Sequence, residues 1–228
     1  MLNYQLIPST GQRFALKGDK PKLLIVSGTH GDEFEVVPLI EEYVGKHYSD
    51  LPSFLYVPEV SPSALRLRTR KNADGVDLNR SFVDGTKIEE ARQMMELWGR
   101  YNFDLFLTFH EDPTQDKFYL YEGVQEKYYS QFSLERQGKL DPLRGGIQAL
   151  GIELYSGVDD PLDPQLGHQV GDGYVYWPMT FDKDDHSSEY WLVVEKGLAK
   201  HAINPEIPGL APLDKKRDIV ELIFQLVA

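Results

Sequence analysis

The chain has 228 residues, of which 24 are Lys or Arg and 36 are Asp or Glu, for a net charge of −12. This length suits one large domain around a substantial apolar core, and a surface this acidic repels phosphate backbones, which argues against nucleic acid as a partner. Cysteine is absent, which removes disulfides, thiol nucleophiles and thiolate metal sites together, so any metal has to be held by nitrogen and oxygen donors.

The opening MLNYQLIPSTGQRF has neither a charged nor an apolar signal region. No run approaches the ~20 apolar residues of a membrane span, so a cytoplasmic protein with no membrane partner is expected. In chain order, residues 22–27 (KLLIVS) read as a buried strand, continuous in apolar side chains. A tight turn through Gly28, Thr29, His30 and Gly31 follows, then a helical stretch over 34–46. Residues 53–57 form a second strand, and 88–100 a helix with Ile88, Ala91, Met95 and Trp98 on one side. A third strand, 103–109 (FDLFLTF), ends at His110, and 118–121 and 190–194 (YWLVV) read as further strands. Ile219, Leu222, Ile223 and Leu226 share one face of a C-terminal helix. Strands alternating with helices predict a three-layer α/β/α sandwich with a mixed, mainly parallel central sheet, spanning 1–228 as one catalytic domain. In such sheets sites form beyond the carboxyl ends of strands, where His30, His110 and Glu195 are expected to emerge.

His30 and Glu33 lie three residues apart on a strand-to-helix turn, a spacing that lets an imidazole and a carboxylate converge on one cation. Alone, the pair is weak evidence and reads first as a polar loop at a helix start. A zinc hydrolase commonly takes two His and one carboxylate, leaving a position for water, and His110 at a strand end supplies the missing donor. The other histidines, His47, His168, His186 and His201, lie in polar surroundings and read as surface or loop residues.

Between these ligands runs Arg70-Lys71-Asn72-Ala73-Asp74-Gly75-Val76-Asp77-Leu78-Asn79-Arg80. The order H-x-x-E after the first core strand, R-x-N, G-V-D-x-N-R and a strand-end histidine resembles the zinc carboxypeptidases, the M14 metallopeptidases. The resemblance carries specific motifs from about residue 22 to 112 and is looser up to Glu195. It implies Zn²⁺ held by His30, Glu33 and His110. It implies further that Arg70 polarises the scissile carbonyl, that Asn79 and Arg80 grip a terminal carboxylate, and that Asp77 orients His30 by a hydrogen bond. The family's catalytic base is a glutamate in a T-x-E pattern ending a late strand. Glu195 is similar to it, although Val193 replaces the threonine; Glu189, at the other end of that strand, is the alternative. Tyr174, with Tyr176 close by, resembles the family's mobile tyrosine. The acidic stretch Asp182-Lys183-Asp184-Asp185 is either a solvated loop or a preference for a cationic side chain such as lysine or diaminopimelate. Phe109-His110-Glu111-Asp112 followed by Phe118-Tyr119-Leu120-Tyr121-Glu122 is similar to a compact bacterial branch that includes murein peptide amidases.

The expected activity is therefore hydrolysis of a peptide or γ-glutamyl amide near a free carboxylate. The aspartoacylase and succinylglutamate desuccinylase group, which cleaves N-acyl amino acids, shares H-x-x-E, D-L-N-R and the strand-end histidine. The residues after Glu195 are too few for that group's appended β-domain, and R-x-N fits the peptidases better. A catalytically inactive relative that binds zinc or a peptide is the non-enzymatic alternative.

Overall fold

A computed structural model describes residues 2–159, 167–177 and 185–227. Its main sheet begins with a hairpin, β1 (Tyr4–Ile7) and β2 (Gln12–Lys17), that the hydrophobic pattern did not announce. β3 (Leu23–Val26), β4 (Phe54–Val57) and β5 (Leu105–Thr108) are the three expected strands. β6 (His110–Asp112) continues from β5, β7 (Tyr119–Val124) follows, then β10 (Tyr174–Tyr176) and β11 (His201–Pro208); β8 (Gly157–Val158) and β9 (Gln169–Val170) form a separate pair. The spatial order is β1-β2-β4-β3-β5-β11-β7-β10, with β6 also on β11. β4, β3, β5 and β11 run parallel, so their carboxyl ends share one edge; β11 and β7 are antiparallel.

Every residue of β3 is buried because both faces of the sheet are covered. Leu23 and Ile25 pack towards α1 (Val36–Lys46), α5 (Leu140–Ala149) and α6 (Leu213–Phe224), while Leu24 and Val26 pack towards α3 (Glu89–Trp98). This is the three-layer α/β/α sandwich with a mixed, mainly parallel sheet. Ile219, Val220, Ile223 and Phe224 hold α6 in the first layer, with Leu222 and Leu226 at its margin. None of the described helices is long and apolar enough to cross a membrane.

One expected strand is not a strand. Tyr190–Glu195 winds into a π-type helical segment, with Trp191, Leu192 and Val193 packed into the α3 layer. A short apolar run fits a buried strand and a buried helix equally well. Here the choice is made at its start, where the Ser187 hydroxyl accepts from the Tyr190 amide at 3.1 Å and the Ser187 carbonyl accepts from Trp191 at 3.0 Å. The central strand that sequence missed is β11, whose two prolines read against a strand interior. Pro205 is tolerated because the ladder is interrupted there. Ala202 and Ile203 pair with Phe106 and Leu107, Glu206 pairs with His110, and the intervening Phe109 amide turns away to the Val26 carbonyl at 2.9 Å.

Candidate metal centre and substrate cavity

The turn after β3 places His30 at the carboxyl edge of the sheet. Gly28 sits at φ +64, a left-handed conformation that side chains disfavour, and a Cβ on Gly31 would lie 1.9 Å from the Ala64 carbonyl oxygen. Both glycines thus let the loop press onto α2 (Pro62–Leu67). His30 Nδ1 lies 2.5 Å from Glu33 Oε1, and His110 Nδ1 lies 3.0 Å from Glu33 Oε2. All three residues are buried, and their donor atoms fall within 4.8 Å of one another, the one such group among the described residues. The cluster brings together the three predicted ligands.

Burial disfavours a charged His30, yet Glu33 and the hydrogen bonds to Asp77 and Glu33 outweigh it and raise its pKa to about 9. Burial likewise opposes ionisation of Glu33, but His30 and His110 hold its carboxyl well below the usual carboxylate range. Two imidazole nitrogens directed at one carboxylate form a donor set suited to a divalent cation, which can take the place of the shared protons. The residues present fit such an ion.

Asp77 binds the cluster to the neighbouring loop. Its Oδ1 accepts from His30 Nε2 at 3.1 Å and from the Asn79 amide at 3.0 Å, and its Oδ2 accepts from Arg70 Nε at 2.9 Å. With Nε2 committed as donor, Nδ1 of His30 is the atom left for a metal. Asn72 is a loop builder: its Oδ1 accepts from the Asp74 and Val76 amides, both at 3.0 Å. Asn79 Oδ1 accepts from the Ser188 amide at 3.0 Å, joining this loop to the segment before the π-type helix. Arg80 donates to the Asn79 carbonyl at 2.9 Å and lies 4.0 Å from Asp185, whose pKa is raised by burial. Asp182, Lys183 and Asp184 lie outside the described residues.

The cavity above these groups has a volume of about 580 Å³. One wall is the sheet itself: Ala202, Asn204 and Glu206 alternate along β11 and pair with Gly123, Tyr121 and Tyr119 of β7. Glu206 is thereby placed beside His110, its register partner on β6. Burial raises its carboxyl pKa to about 8, with His110 acting against the shift and Glu33 and Asp112 adding to it. No hydrogen-bond partner for that carboxyl occurs among the described residues.

Two of the expected site residues lie away from the cavity. Glu195 is not a cavity residue; its carboxylate pairs with Lys196 Nζ at 2.9 Å, because a helical segment spreads its side chains around an axis instead of delivering them at a strand end. Tyr174 lies on the opposite face of the sheet from the cavity, donating to Glu122 Oε2 at 2.5 Å. The alternative carboxylate, Glu189, does line the cavity, 3.8 Å from His110 Nε2. Both its oxygens are occupied, however, by Asn204 Nδ2 and by the Ser188 hydroxyl, each at 2.9 Å. Glu206 was not among the sequence candidates, because prolines at 205 and 208 interrupt the strand pattern that carries it. Among the histidines read as surface or loop residues, His201 is buried on the core face and His168 lines the cavity.

No protein-family model matches the chain, and no curated protein matches it in sequence. Solved structures match it in fold. A protein assigned as a metallopeptidase from Shewanella denitrificans is 24% identical, covers 99% of this chain and 82% of its own, and superposes with a TM-score of 0.75. A metallo-carboxypeptidase from Burkholderia cenocepacia (12% identity, 96% of this chain and 60% of its own, TM-score 0.58) shares the architecture. So does a succinylglutamate desuccinylase from Silicibacter (16% identity, 94% of this chain and 59% of its own, TM-score 0.58). The chain spans about three fifths of these last two. The fold is that of the carboxypeptidase-like α/β proteins.

Proposed function

We propose that the chain is a zinc-dependent hydrolase of amide bonds, acting near a free carboxylate of a peptide or γ-glutamyl substrate. The observation that carries this reading is the convergence of His30, Glu33 and His110 beside a carboxyl group, Glu206, with no hydrogen-bond partner among the described residues. A zinc ion held by the three donors supplies Lewis acidity to a carbonyl and acidifies water near neutral pH. Glu206, with a pKa raised to about 8 in the metal-free site, is poised to take a proton from the attacking water and return it to the leaving nitrogen. Arg70, held through Nε by Asp77, offers its terminal nitrogens to the oxygen on which charge develops. Arg80, with its planar fork, binds the terminal carboxylate.

Metal analysis of the purified chain, together with hydrolysis of α- and γ-linked peptides with free or amidated C-termini, tests the reading. One equivalent of zinc and turnover of free-carboxylate peptides is the expected result. Arg80→Ala should weaken free-carboxylate substrates more than amidated ones, and equal losses would remove the clamp. Turnover confined to N-acyl amino acids would move the assignment to the desuccinylase type. A zinc-loaded chain that cleaves nothing in the panel would leave only a binding role.

A further inference from the structure

The cavity extends to a wall that the mechanism above does not use. Tyr119 and Tyr121 stand on β7, across β11 from the strand that carries His110, two strand spacings or about 10 Å away. Arg70 is tied through Asp77 to His30, on the other side of the cluster. Tyr155 and His168 pack against the two tyrosines, with ring centroids 5.7 Å apart for Tyr119–Tyr121, 5.3 Å for Tyr119–Tyr155 and 6.0 Å for Tyr121–His168. Each hydroxyl is already engaged. Tyr119 donates to Asp112 Oδ2 at 3.1 Å, Tyr155 to the Val158 carbonyl at 2.6 Å, and Tyr121 to Asp159 Oδ2. The rings are therefore held in place by their hydroxyls, and ring faces attract cations.

Asp159 lines this end of the cavity and is only 9% exposed. Its second oxygen, Oδ1, is buried with no hydrogen-bond partner among the described residues. An acceptor left in that state is costly, and a cationic N–H donor relieves it best. Aromatic rings around a half-satisfied buried carboxylate match the chemistry of an alkylammonium group.

We infer that Asp159, together with Tyr119, Tyr121, Tyr155 and His168, forms a subsite for an ammonium group. The substrate is then an amide that carries a free carboxylate at the arginine side and a cationic amine on an aliphatic arm reaching the tyrosine side. That this ligand is the substrate rests on the hydrolase reading; the subsite itself is built from groups the reading leaves unused.

Calorimetric titration of the zinc-loaded full chain with Nα-acetyl-lysine and Nα-acetyl-norleucine tests the inference, since the two differ chiefly in the ammonium. Wild type is expected to bind the lysine compound about 30-fold more tightly or better, the range for a buried charge given its partner. Asp159→Asn should bring the two within about threefold, mainly by weakening the lysine compound. Tyr121→Phe keeps the ring and the carboxylate, so it should retain the preference. Equal affinities in wild type, binding of neither compound, or a preference that survives Asp159→Asn would each overturn the subsite. Should Asp159→Asn fail to fold, the wild-type pair of titrations still decides. Peptide hydrolysis with no preference for an ammonium would sink the subsite and spare the hydrolase, whereas ammonium-dependent binding without hydrolysis of any amide would do the reverse.

Discussion

Two glutamates on neighbouring strands of the same sheet face opposite layers, and their surroundings differ in burial and in hydrogen bonding. Glu122, on β7, is fully buried, and its carboxylate accepts from His201 Nε2 at 2.8 Å, the Leu134 amide at 2.7 Å and the Tyr174 hydroxyl at 2.5 Å. Glu206, on β11, also has a histidine beside it, His110, but among the described residues its carboxyl group has no donor. A carboxylate with three donors works as a joint, here holding the loop at Leu134 and strand β10 to the sheet. Where desolvation is not offset by donors, a carboxyl retains its proton to unusually high pH and can exchange it with a ligand. Hydrogen bonding and burial together set the structural Glu122 apart from Glu206, the carboxyl group proposed for proton transfer.

The contrast can be broken by exchanging the outcomes of two substitutions. Glu206→Gln is expected to lower kcat by about 10³-fold, the usual scale for a lost proton-transfer group, while the denaturation midpoint stays the same or rises. Glu122→Ala is expected to do the opposite, removing about 3 kcal/mol of stability by leaving His201 and its neighbours without a partner, with activity per folded molecule retained. Urea titration alongside steady-state kinetics measures both, and a stable but inactive Glu122→Ala would erase the distinction. A smaller effect is expected at Asp77. Asp77→Ala should weaken zinc binding by about 10- to 100-fold through loss of the bond that orients His30, read by competition with a chelator.

The pH dependence of zinc binding sharpens the picture of the cluster. In the metal-free chain His30 is protonated below about 9, and a cation needs the neutral nitrogen. Apparent affinity should therefore fall as pH drops below that value, by up to about tenfold per unit for each displaced proton. Calorimetry in two buffers of different ionisation enthalpy counts those protons, and binding with none released would contradict the raised pKa. The smallest effect belongs to Glu195→Gln, which should change kcat/KM by less than about twofold, in the range of an ordinary surface change. A large loss there would mean that the π-type segment, rather than β11, delivers the base.

Much of this site was legible in the residues themselves. His30 and Glu33 share one turn, and His110 closes an apolar strand, so each announces itself within a few positions of a strong pattern. Asp77 was expected from motif order to reach His30, and the structure shows it reaching both His30 and Arg70, while Asn79 and Arg80 line the cavity. Glu206 stayed hidden for a local reason. Pro205 and Pro208 disguise the alternation of β11, whereas YWLVV imitates a strand that would end at Glu195.

Read in linear order, the residues settled the donor chemistry, the parallel βα framework and the edge where the site forms, because strand ends and turns are encoded by neighbours in the chain. Which carboxylate stands beside His110, and which tyrosines face it across the cavity, was settled only by folding. Those neighbours are set by strand order and register, and register decides which side chains reach the cavity and which enter the core.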